Sequence, residues 1–339
     1  MKAAVSKGKG DIRLVEVATP EPGPYQCLCK TLVCSTCTGT DLKIINEKLP
    51  WKMKYPGIVG HESVGIVLKV GGKVKYIKEK DMYLRPTAVY SGTSLDGYYS
   101  LFGGFAEYGL VTDTKALLED NPDAPPGYSQ YQMKIPDDIK ISAPEAAMVI
   151  TLKETAGYVM DMKVSLNNSV VVLGSGPVAM AMCFFAKLCG AFPLIAVGRR
   201  DEPLDYIKMF GVNFTVNNEK EDMVRKVREI TGGRGADYII DTAGDLKLFT
   251  ESFKMLAENG KISPYAALPK ADALKDMDAE KILRAKTGEV PTHNYMLDLA
   301  RLNLLGLKRF YSHTMPFGDI SKGFEMIKNK EASKIVFEM

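Results

Sequence analysis

The sequence has little of several features that would narrow its function at once. Its apolar runs are all shorter than a membrane-spanning helix requires. It has no internal repeat or low-complexity segment, and its formal net charge is only +3. Neither nucleic acid nor a membrane is therefore expected as a partner. Only three histidines occur in 339 residues, namely His61, His293 and His313.

Thiols are present but show no sign of forming disulfides. The six cysteines fall into two groups: Cys27, Cys29, Cys34 and Cys37, then Cys183 and Cys189. The opening residues, Met1 to Val5, lack the apolar core of a signal peptide and lead into strand-like sequence. Free thiols in a chain of this length predict a reducing, cytoplasmic location.

The chain is long enough for about two domains. Its apolar patterns divide it into three parts. Residues 1–148 contain short strand-like runs punctuated by Gly and Pro, which predict an antiparallel, barrel-like domain. Residues 149–290 alternate strands and helices, which predicts an α/β doubly wound parallel sheet. Its strand cores are expected at Val170–Leu173, Leu194–Val197, Tyr238–Ile240 and Lys261–Ser263. The tail, 291–339, carries helix and strand signals of its own.

A glycine loop follows the first of these strands. Val170–Leu173 leads into G-x-G-x-x-A, with Gly174, Gly176 and Ala179 in the three small positions. Gly174 permits the tight turn and Gly176 lets a pyrophosphate approach the backbone. The following helix would begin around Pro177 and Val178, and its free N–H groups favour a phosphate. The pattern predicts a dinucleotide site.

The next strand indicates which dinucleotide binds. An NAD site usually has Asp or Glu at its end, but here Gly198 is followed by Arg199 and Arg200. A guanidinium matches a phosphate with two hydrogen bonds. NADP(H) is therefore predicted, with NAD left open because Asp201 could return a carboxylate to the ribose. The alternative is a pair of surface arginines facing Asp201 and Glu202.

A polar cluster in the first domain has the residue types of an open zinc site. Cys34 and Cys37 precede Thr40 and Asp41, and His61-Glu62 lies about 20 residues further on. Taken alone, a His–Glu pair is more often a local hydrogen-bonded pair than a metal site.

Several motifs in order make the chain resemble the zinc-type alcohol dehydrogenases of the medium-chain dehydrogenase/reductase superfamily. They are Gly39-Thr40-Asp41, Gly60-His61-Glu62 with Gly65, Gly103 to Tyr108, the loop Gly174–Ala179, and Ile240 to Gly244. The resemblance spans essentially the full length. It implies a GroES-like, partly open β-barrel, a Rossmann domain, a tail that returns to the first domain, and an active site in the cleft between the domains.

The resemblance also assigns roles. Cys37 and His61 match catalytic zinc ligands, Glu62 matches a ligand or a neighbour of the metal, and Thr40 matches the hydroxyl that passes on the alcohol proton. Asp41 matches a carboxylate beside the metal ligands that would orient a ligand or an arginine. The third ligand is expected from the helix that opens the cofactor domain, where Glu154 is the nearby carboxylate; a first-turn helix glutamate is the alternative.

Departures from the family pattern limit these assignments. Cys37 lies four residues before Asp41 where the family usually has three, and Lys43 stands where a histidine often ends the proton relay. No cysteine occurs between Asp81 and Tyr108, where a structural zinc lobe would lie. One catalytic Zn²⁺ per chain and no structural Zn²⁺ are therefore expected.

The combined prediction is an NADP(H)- and zinc-dependent alcohol dehydrogenase or carbonyl reductase that forms a homodimer or homotetramer. Zinc would act as a Lewis acid on the substrate oxygen while hydride moves to or from the nicotinamide. A polyol, sugar or cyclitol is favoured as substrate. Several aromatic residues could line a pocket or belong to the core: Trp51, Tyr90, Tyr98, Tyr99 and Phe102. A zinc-free reductase of an activated double bond and a non-catalytic NADPH-binding scaffold are the alternatives.

Overall fold

The computed structural model describes residues 1–49, 51–125, 127–266, 277–286 and 288–339. They form two compact units. Unit 1 comprises Met1–Thr151 and His293–Met339, and unit 2 comprises Leu152–Thr292. Among the helices of these residues, none combines the length and the apolar character needed to span a bilayer.

Helices and strands follow one another in three stretches. The first contains β1 (Lys2–Gly8), β2 (Asp11–Glu16), β3 (Gln26–Ser35), α1 (Thr38–Ile45), β4 (Gly57–Ile58), β5 (Glu62–Val70), β6 (Met82–Leu84), β7 (Ser94–Leu95), β8 (Tyr98–Ser100), β9 (Tyr108–Thr112), α2 (Thr114–Asp120), β10 (Met133–Ile135) and α3 (Ala143–Asp161). The second contains β11 (Val170–Leu173), α4 (Pro177–Leu188), β12 (Leu194–Gly198), α5 (Asp201–Ile207), β13 (Phe214–Asn217), α6 (Met223–Ile230), β14 (Ala236–Asp241), α7 (Leu246–Ser252) and β15 (Leu256–Pro264). The third contains α8 (His293–Arg301), β16 (His313–Pro316), α9 (Ile320–Lys328) and β17 (Ile335–Glu338).

Unit 1 is built on two mainly antiparallel sheets. One has the order β2-β1-β4-β8-β7 and the other β10-β6-β5-β3-β17-β16, with β9 paired to β3. The C-terminal strand β17 lies beside β3, where Val336 pairs with Ser35 and Phe337 with Cys34. The end of the chain is thus part of the sheet that carries the residues just before Cys37.

Aromatic packing holds this end of the chain in place. Phe105, Phe324 and Phe337 form one cluster, with ring centroids 5.9–6.4 Å apart. Phe105 and Phe337 are fully buried. Such aromatic contacts add to the stabilisation from burial alone, so they tie α9 and β17 to the segment that precedes β9.

Unit 2 is a parallel sheet with the order β13-β12-β11-β14-β15. In this order the chain starts in the middle and winds outward in both directions, as in a Rossmann fold. Strands β11 and β12 are buried along their whole length because helices cover a parallel sheet on both faces. The carboxyl ends of these strands present Gly174 and Gly198.

The structure confirms the predicted α/β class and the four strand cores of the parallel sheet. In the first domain, β9 begins only at Tyr108, after the segment that contains the fully buried Phe105. Two glycine-dependent features interrupt the pairing: Gly103 has φ +75°, and the Gly104 N–H donates to the Gly60 carbonyl at 2.6 Å. A β-carbon on Gly104 would lie 2.8 Å from that carbonyl oxygen.

A candidate metal centre and a candidate dinucleotide site

The start of helix α1 positions the predicted cysteine ligand. Cys37 is the N-cap residue, and its backbone N–H donates to Asp41 Oδ2 at 2.8 Å. Asp41 lies one turn into the helix and is fully buried. The extra residue between Cys37 and Asp41 is therefore accommodated, because the carboxylate reaches back over the first turn to the N-terminus.

His61 lies on the other side of the same carboxylate. Its Nδ1 is 3.3 Å from Asp41 Oδ1, and neither atom has a hydrogen-bond partner of good geometry among the described residues. Burial of the ring would lower the pKa of His61, but the negative charge of Asp41 and the close polar contacts with Asp41 and Cys37 outweigh it and raise this pKa well above its usual value. A carboxylate behind a histidine is the arrangement that orients metal-binding imidazoles.

Glu62, next to His61, has a carboxylate surrounded by donors. Ser35 Oγ and Lys334 Nζ both donate to Oε2, and Thr151 Oγ1 donates to Oε1 at 2.6 Å. Burial alone would raise the pKa of Glu62, but Lys334, His61 and these hydrogen bonds together lower it below its ordinary value. Glu62 is thus a buried, ionised carboxylate held in one orientation.

These side chains meet the requirements of a divalent zinc ion. One ligand atom from each of Cys37, His61 and Glu62 lies within 4.8 Å of the others. They supply sulfur, nitrogen and oxygen, the three donor types that zinc takes in catalytic sites. Asp41 provides the supporting carboxylate. In the described part of the chain this is the one cluster of at least three metal-ligating side chains, and it includes none from the segment 81–108.

Two further residues of α1 were singled out from the sequence. Thr40 is half-buried in the first turn, and its hydroxyl makes no hydrogen bond within the described residues. Lys43 lies in the last turn of the same helix. The hydroxyl of Thr40 is thus available for a proton, as its predicted role requires.

Glu154, the predicted third ligand, belongs to unit 2. Its Oε1 accepts a hydrogen bond from the Tyr265 hydroxyl at 2.8 Å. Helix α3 begins at Ala143, so the alternative interpretation of Glu154 as a first-turn glutamate is wrong. Its assignment as a zinc ligand stays a prediction.

Three further thiols of unit 1 belong to its buried core. Cys27 and Cys29 alternate along β3 and are both fully buried on one face. Cys34 is fully buried too, and desolvation raises its pKa well above the ordinary value. A thiol in such surroundings packs like a small apolar side chain, which disfavours Cys34 as the ligand in place of Cys37.

In unit 2 the glycine loop has the geometry of a phosphate site. Gly174 has φ +121°, and a β-carbon there would lie 2.4 Å from Thr242 Oγ1. Gly176 is the N-cap of α4, has no side-chain cap and faces open space where a β-carbon would point. Pro177 opens the helix, where its fixed φ is favourable, and Val178 follows it. A pyrophosphate can therefore approach the first free N–H groups of α4.

The end of β12 carries the residues that were predicted to distinguish NADP(H) from NAD(H). Asn217 Nδ2 donates to the Asp201 carboxylate at 2.6 Å, and Lys220 also pairs with it. Arg199 and Arg200 are exposed and form no hydrogen bond through their side chains and no ion pair among the described residues. Neither arginine pairs with Asp201, whose carboxylate is engaged by Asn217 and Lys220, and both the surface-arginine alternative and the NADP(H) assignment stay predictions.

Comparisons with known proteins agree with this arrangement. Residues 23–120 match the model of the alcohol dehydrogenase GroES-like domain, and residues 177–290 match that of the zinc-binding dehydrogenases. The chain belongs to the zinc-type alcohol dehydrogenase family of the medium-chain dehydrogenase/reductase superfamily. Both domain models occur in the expected order, and each covers the residues of one candidate site or part of it.

Relatives of this dehydrogenase cover nearly its whole length. An L-threonine 3-dehydrogenase of Pyrococcus abyssi is 28% identical over 96% of this chain and 94% of its own. An alcohol dehydrogenase of Cupriavidus necator is 29% identical over 78% of this chain and 75% of its own. The solved alcohol dehydrogenase TADH from Thermus sp. ATN1 is 24% identical and shares the fold, with a TM-score of 0.77 over 100% of this chain and 99% of that one.

Sequence reasoning missed three members of this dehydrogenase's polar cluster: Ser35, Thr151 and Lys334. Lys334 Nζ donates to Glu62, to Thr151 Oγ1 at 3.0 Å and to the Thr36 carbonyl at 2.9 Å. Nearly 300 residues separate Lys334 from Ser35 in the sequence, and no motif spacing connects them. The expected return of the tail to the first domain was the available signal.

Proposed function

We propose that this dehydrogenase interconverts a secondary alcohol and a ketone with NADP(H) and one catalytic zinc ion. The observation that carries the proposal is the cluster of Cys37, His61 and Glu62 with Asp41 behind His61. A zinc-free reductase or a binding scaffold has no use for a thiol–imidazole–carboxylate cluster of this composition, in which the imidazole and the carboxylate are buried.

Cys37 and His61 would hold the metal, with Glu62 as ligand or close neighbour and Glu154 as a further candidate. Zinc in such a site acts as a Lewis acid that polarises an alcohol or carbonyl oxygen. Asp41 fixes the His61 ring, because the carboxylate faces Nδ1 and leaves Nε2 for coordination. Ser35, Thr151 and Lys334 hold the Glu62 carboxylate. Thr40 would move the substrate hydroxyl proton, since its own hydroxyl is uncommitted.

The residues of unit 2 support NADP(H) over NAD(H). Gly198 removes the acidic side chain that binds a ribose hydroxyl, and Lys220 and Asn217 occupy the nearest substitute, Asp201. Arg199 and Arg200 would then bind the 2′-phosphate. Asn218, whose N–H donates to the Gly198 carbonyl, has a buried Oδ1 without a partner among the described residues. It is a polar group suited to a bound ribose.

Metal analysis of single-residue variants tests the proposal. Purified protein is expected to contain close to one zinc per chain. Cys37→Ala and His61→Ala should lose zinc and turnover but keep NADPH affinity, because other residues form the dinucleotide site. Cys189→Ala is the matched control: it removes a half-buried thiol of unit 2 and should leave zinc, turnover and cofactor binding unchanged.

Other results would redirect the assignment. Loss of NADPH affinity together with zinc would show that the metal is structural. Protein without zinc after careful handling would favour the zinc-free reductase, and two zinc ions per chain would contradict our interpretation of residues 81–108. Glu154→Ala should release zinc only if Glu154 is a ligand.

Thr40→Ala separates proton transfer from metal binding. It should keep zinc and NADPH while turnover falls by about 10²–10⁴-fold if proton transfer contributes to the slow step. We further propose a cytoplasmic homodimer or homotetramer, which light scattering on the purified protein and localisation of a tagged chain would check.

A further inference from the structure

Positive charge is concentrated in one region of unit 1. With Glu47, the lysines at the β1–β2 turn, at the end of α1 and in the loop after α1 form what we call the basic patch. Lys43 is half-buried and the other lysines of the patch are exposed: Lys7, Lys9, Lys48, Lys52 and Lys54. The patch has a formal charge of +5, more than the +3 of the whole chain. All other residues therefore sum to −2, so the small total hides a local excess.

Backbone and side-chain contacts bring the three segments of the patch together. The β1–β2 turn lies against the end of α1, where the Gly10 N–H donates to the Ile45 carbonyl at 2.9 Å. The loop that leaves α1 returns to the same helical turn, because the Tyr55 hydroxyl donates to the Ile44 carbonyl at 2.7 Å. Both ends of this loop are thus fixed at the last turn of α1. The lysines of the patch therefore share one surface region although they come from separate parts of the sequence.

The ammonium groups of the patch make no ion pair with the residues that the structure describes. Exposed lysines elsewhere in unit 1 do: Lys69 pairs with Glu21 at 3.4 Å, and Lys75 pairs with two carboxylates of α2. Asp11 and Arg13, which follow the β1–β2 turn, are 3.8 Å apart and leave the charge of the patch unchanged. Like charges held close together repel one another, so an anionic partner would stabilise this surface.

The loop after α1 also presents an apolar ring to solvent. Leu49, Met53 and Tyr55 are half-buried and pack against the hydrophobic core of unit 1. Trp51 lies between them in the sequence but is 54% exposed, so it is not a core residue. It is the single tryptophan of the chain. An indole has a large apolar face and one N–H donor, and such rings are enriched where a membrane meets water. The patch thus combines positive charge with a ring suited to that boundary.

We propose that the basic patch and Trp51 dock unit 1 onto an anionic lipid surface. Each lysine close to anionic headgroups strengthens binding roughly fivefold, and Trp51 would lie at the level of the headgroups with its ring toward the acyl chains. RNA fits less well, because the patch offers one exposed aromatic ring for base stacking and no arginine. The proposal revises the expectation drawn from the total charge, and it does not depend on the reaction at the metal centre.

Co-sedimentation of the purified full-length chain with lipid vesicles tests the proposal. Vesicles with about one third phosphatidylserine should bind it at least about 100-fold more tightly than vesicles of phosphatidylcholine alone. Raising the salt from about 0.1 M to about 1 M should release it, since the screening length falls from about 10 Å to about 3 Å. Absence of binding to the anionic vesicles, or equal binding to both compositions, would overturn the proposal.

Charge-matched variants separate the patch from the total charge of the protein. Lys52→Gln/Lys54→Gln should weaken binding to the anionic vesicles about 25-fold, at roughly fivefold for each lysine. Lys69→Gln/Lys73→Gln is the matched control: it removes the same charge from exposed positions of unit 1 outside the patch and should change binding less than about threefold. Both variants should keep the thermal midpoint of the wild type, because all four side chains are exposed. Equal losses in the two variants would refute a role of the patch.

The fluorescence of Trp51 reports which face of the protein meets the lipid. On anionic vesicles its emission should shift to shorter wavelength, and lipids brominated near the headgroup end of the acyl chains should quench it. Binding without quenching would contradict the assigned face. Poly(U) RNA, added at the same phosphate concentration as the lipid, should displace little protein from the vesicles. Tighter binding to poly(U) than to the vesicles would overturn the lipid assignment in favour of nucleic acid.

Discussion

Replacing Lys334 with methionine should destabilise unit 1 strongly. The Lys334 and Glu62 side chains are each only 3% exposed, and the ammonium donates to Glu62, Thr151 and the Thr36 carbonyl. Methionine has a similar length but no charge and no donor. Glu62 would remain as a buried carboxylate with only the hydroxyls of Ser35 and Thr151. Removing one partner of a buried ion pair typically costs about 3–5 kcal/mol.

Urea unfolding measures this loss in unit 1 alone. Trp51 is the only tryptophan in the chain and lies in unit 1, so its fluorescence reports on that unit. With an m-value of about 3 kcal/mol/M, the midpoint should fall by roughly 1–1.7 M. The measurement is made on zinc-stripped and zinc-loaded protein, because bound metal adds its own stabilisation. Lys75→Met, which removes exposed ion pairs to Glu119 and Asp120, should leave the midpoint close to wild type.

A double-mutant cycle identifies the cause. Glu62→Gln alone should also destabilise unit 1, since it leaves the ammonium buried without its charged partner. The combination Lys334→Met/Glu62→Gln should cost at least about 2 kcal/mol less than the sum of the single changes, because neither charge remains. Additive losses, or a loss below about 1 kcal/mol for Lys334→Met, would refute the reasoning.

Three further predictions concern the cofactor, the metal and the thiols. Arg199→Ala should raise the Kd for NADPH about 10–150-fold, the equivalent of one charged hydrogen-bonded contact, and leave the Kd for NADH within about twofold of wild type. Calorimetry measures both constants, with Arg225→Ala as the control. Equal losses of affinity for the two cofactors would contradict an NADP site. Asp41→Asn should weaken zinc binding by about 10–100-fold, measured by chelator competition, since the carboxylate orients His61; unchanged zinc affinity would contradict that role. At pH 8, iodoacetamide should label Cys37 in zinc-stripped protein and spare it when zinc is bound. Burial raises the pKa of Cys27 to about 12 and that of Cys183 further, so both stay protonated and unlabelled in the fold; peptide mapping by mass spectrometry that found them labelled first would contradict the burial argument.

The linear sequence determined the fold class and most of the candidate sites. Strands β11, β12 and β14 are runs of four to six residues with apolar cores, so their positions in the chain follow from local pattern alone. The glycine loop is equally local, because its geometry depends on three small residues within six positions. Cys37, Asp41, His61 and Glu62 were identifiable because the short motifs around them resemble those of a known family, although Cys37 lies one residue further from Asp41 than the family pattern.

Tertiary structure decided what those motifs do together. Only the pairing of β17 with β3 brings Lys334 to Glu62, and sequence spacing carries no information about a contact between the two ends of a chain. The positive φ of Phe102 and the contact of its ring with His61 likewise depend on tertiary packing, because local propensity disfavours this backbone conformation for a bulky residue. The orientation of Asp201 toward Lys220, rather than toward a ribose, follows from the packing of α5 against β13. Motif residues can thus be identified from the local sequence. Their ionisation, their hydrogen-bond partners and their packing depend on contacts that form only when the chain has folded.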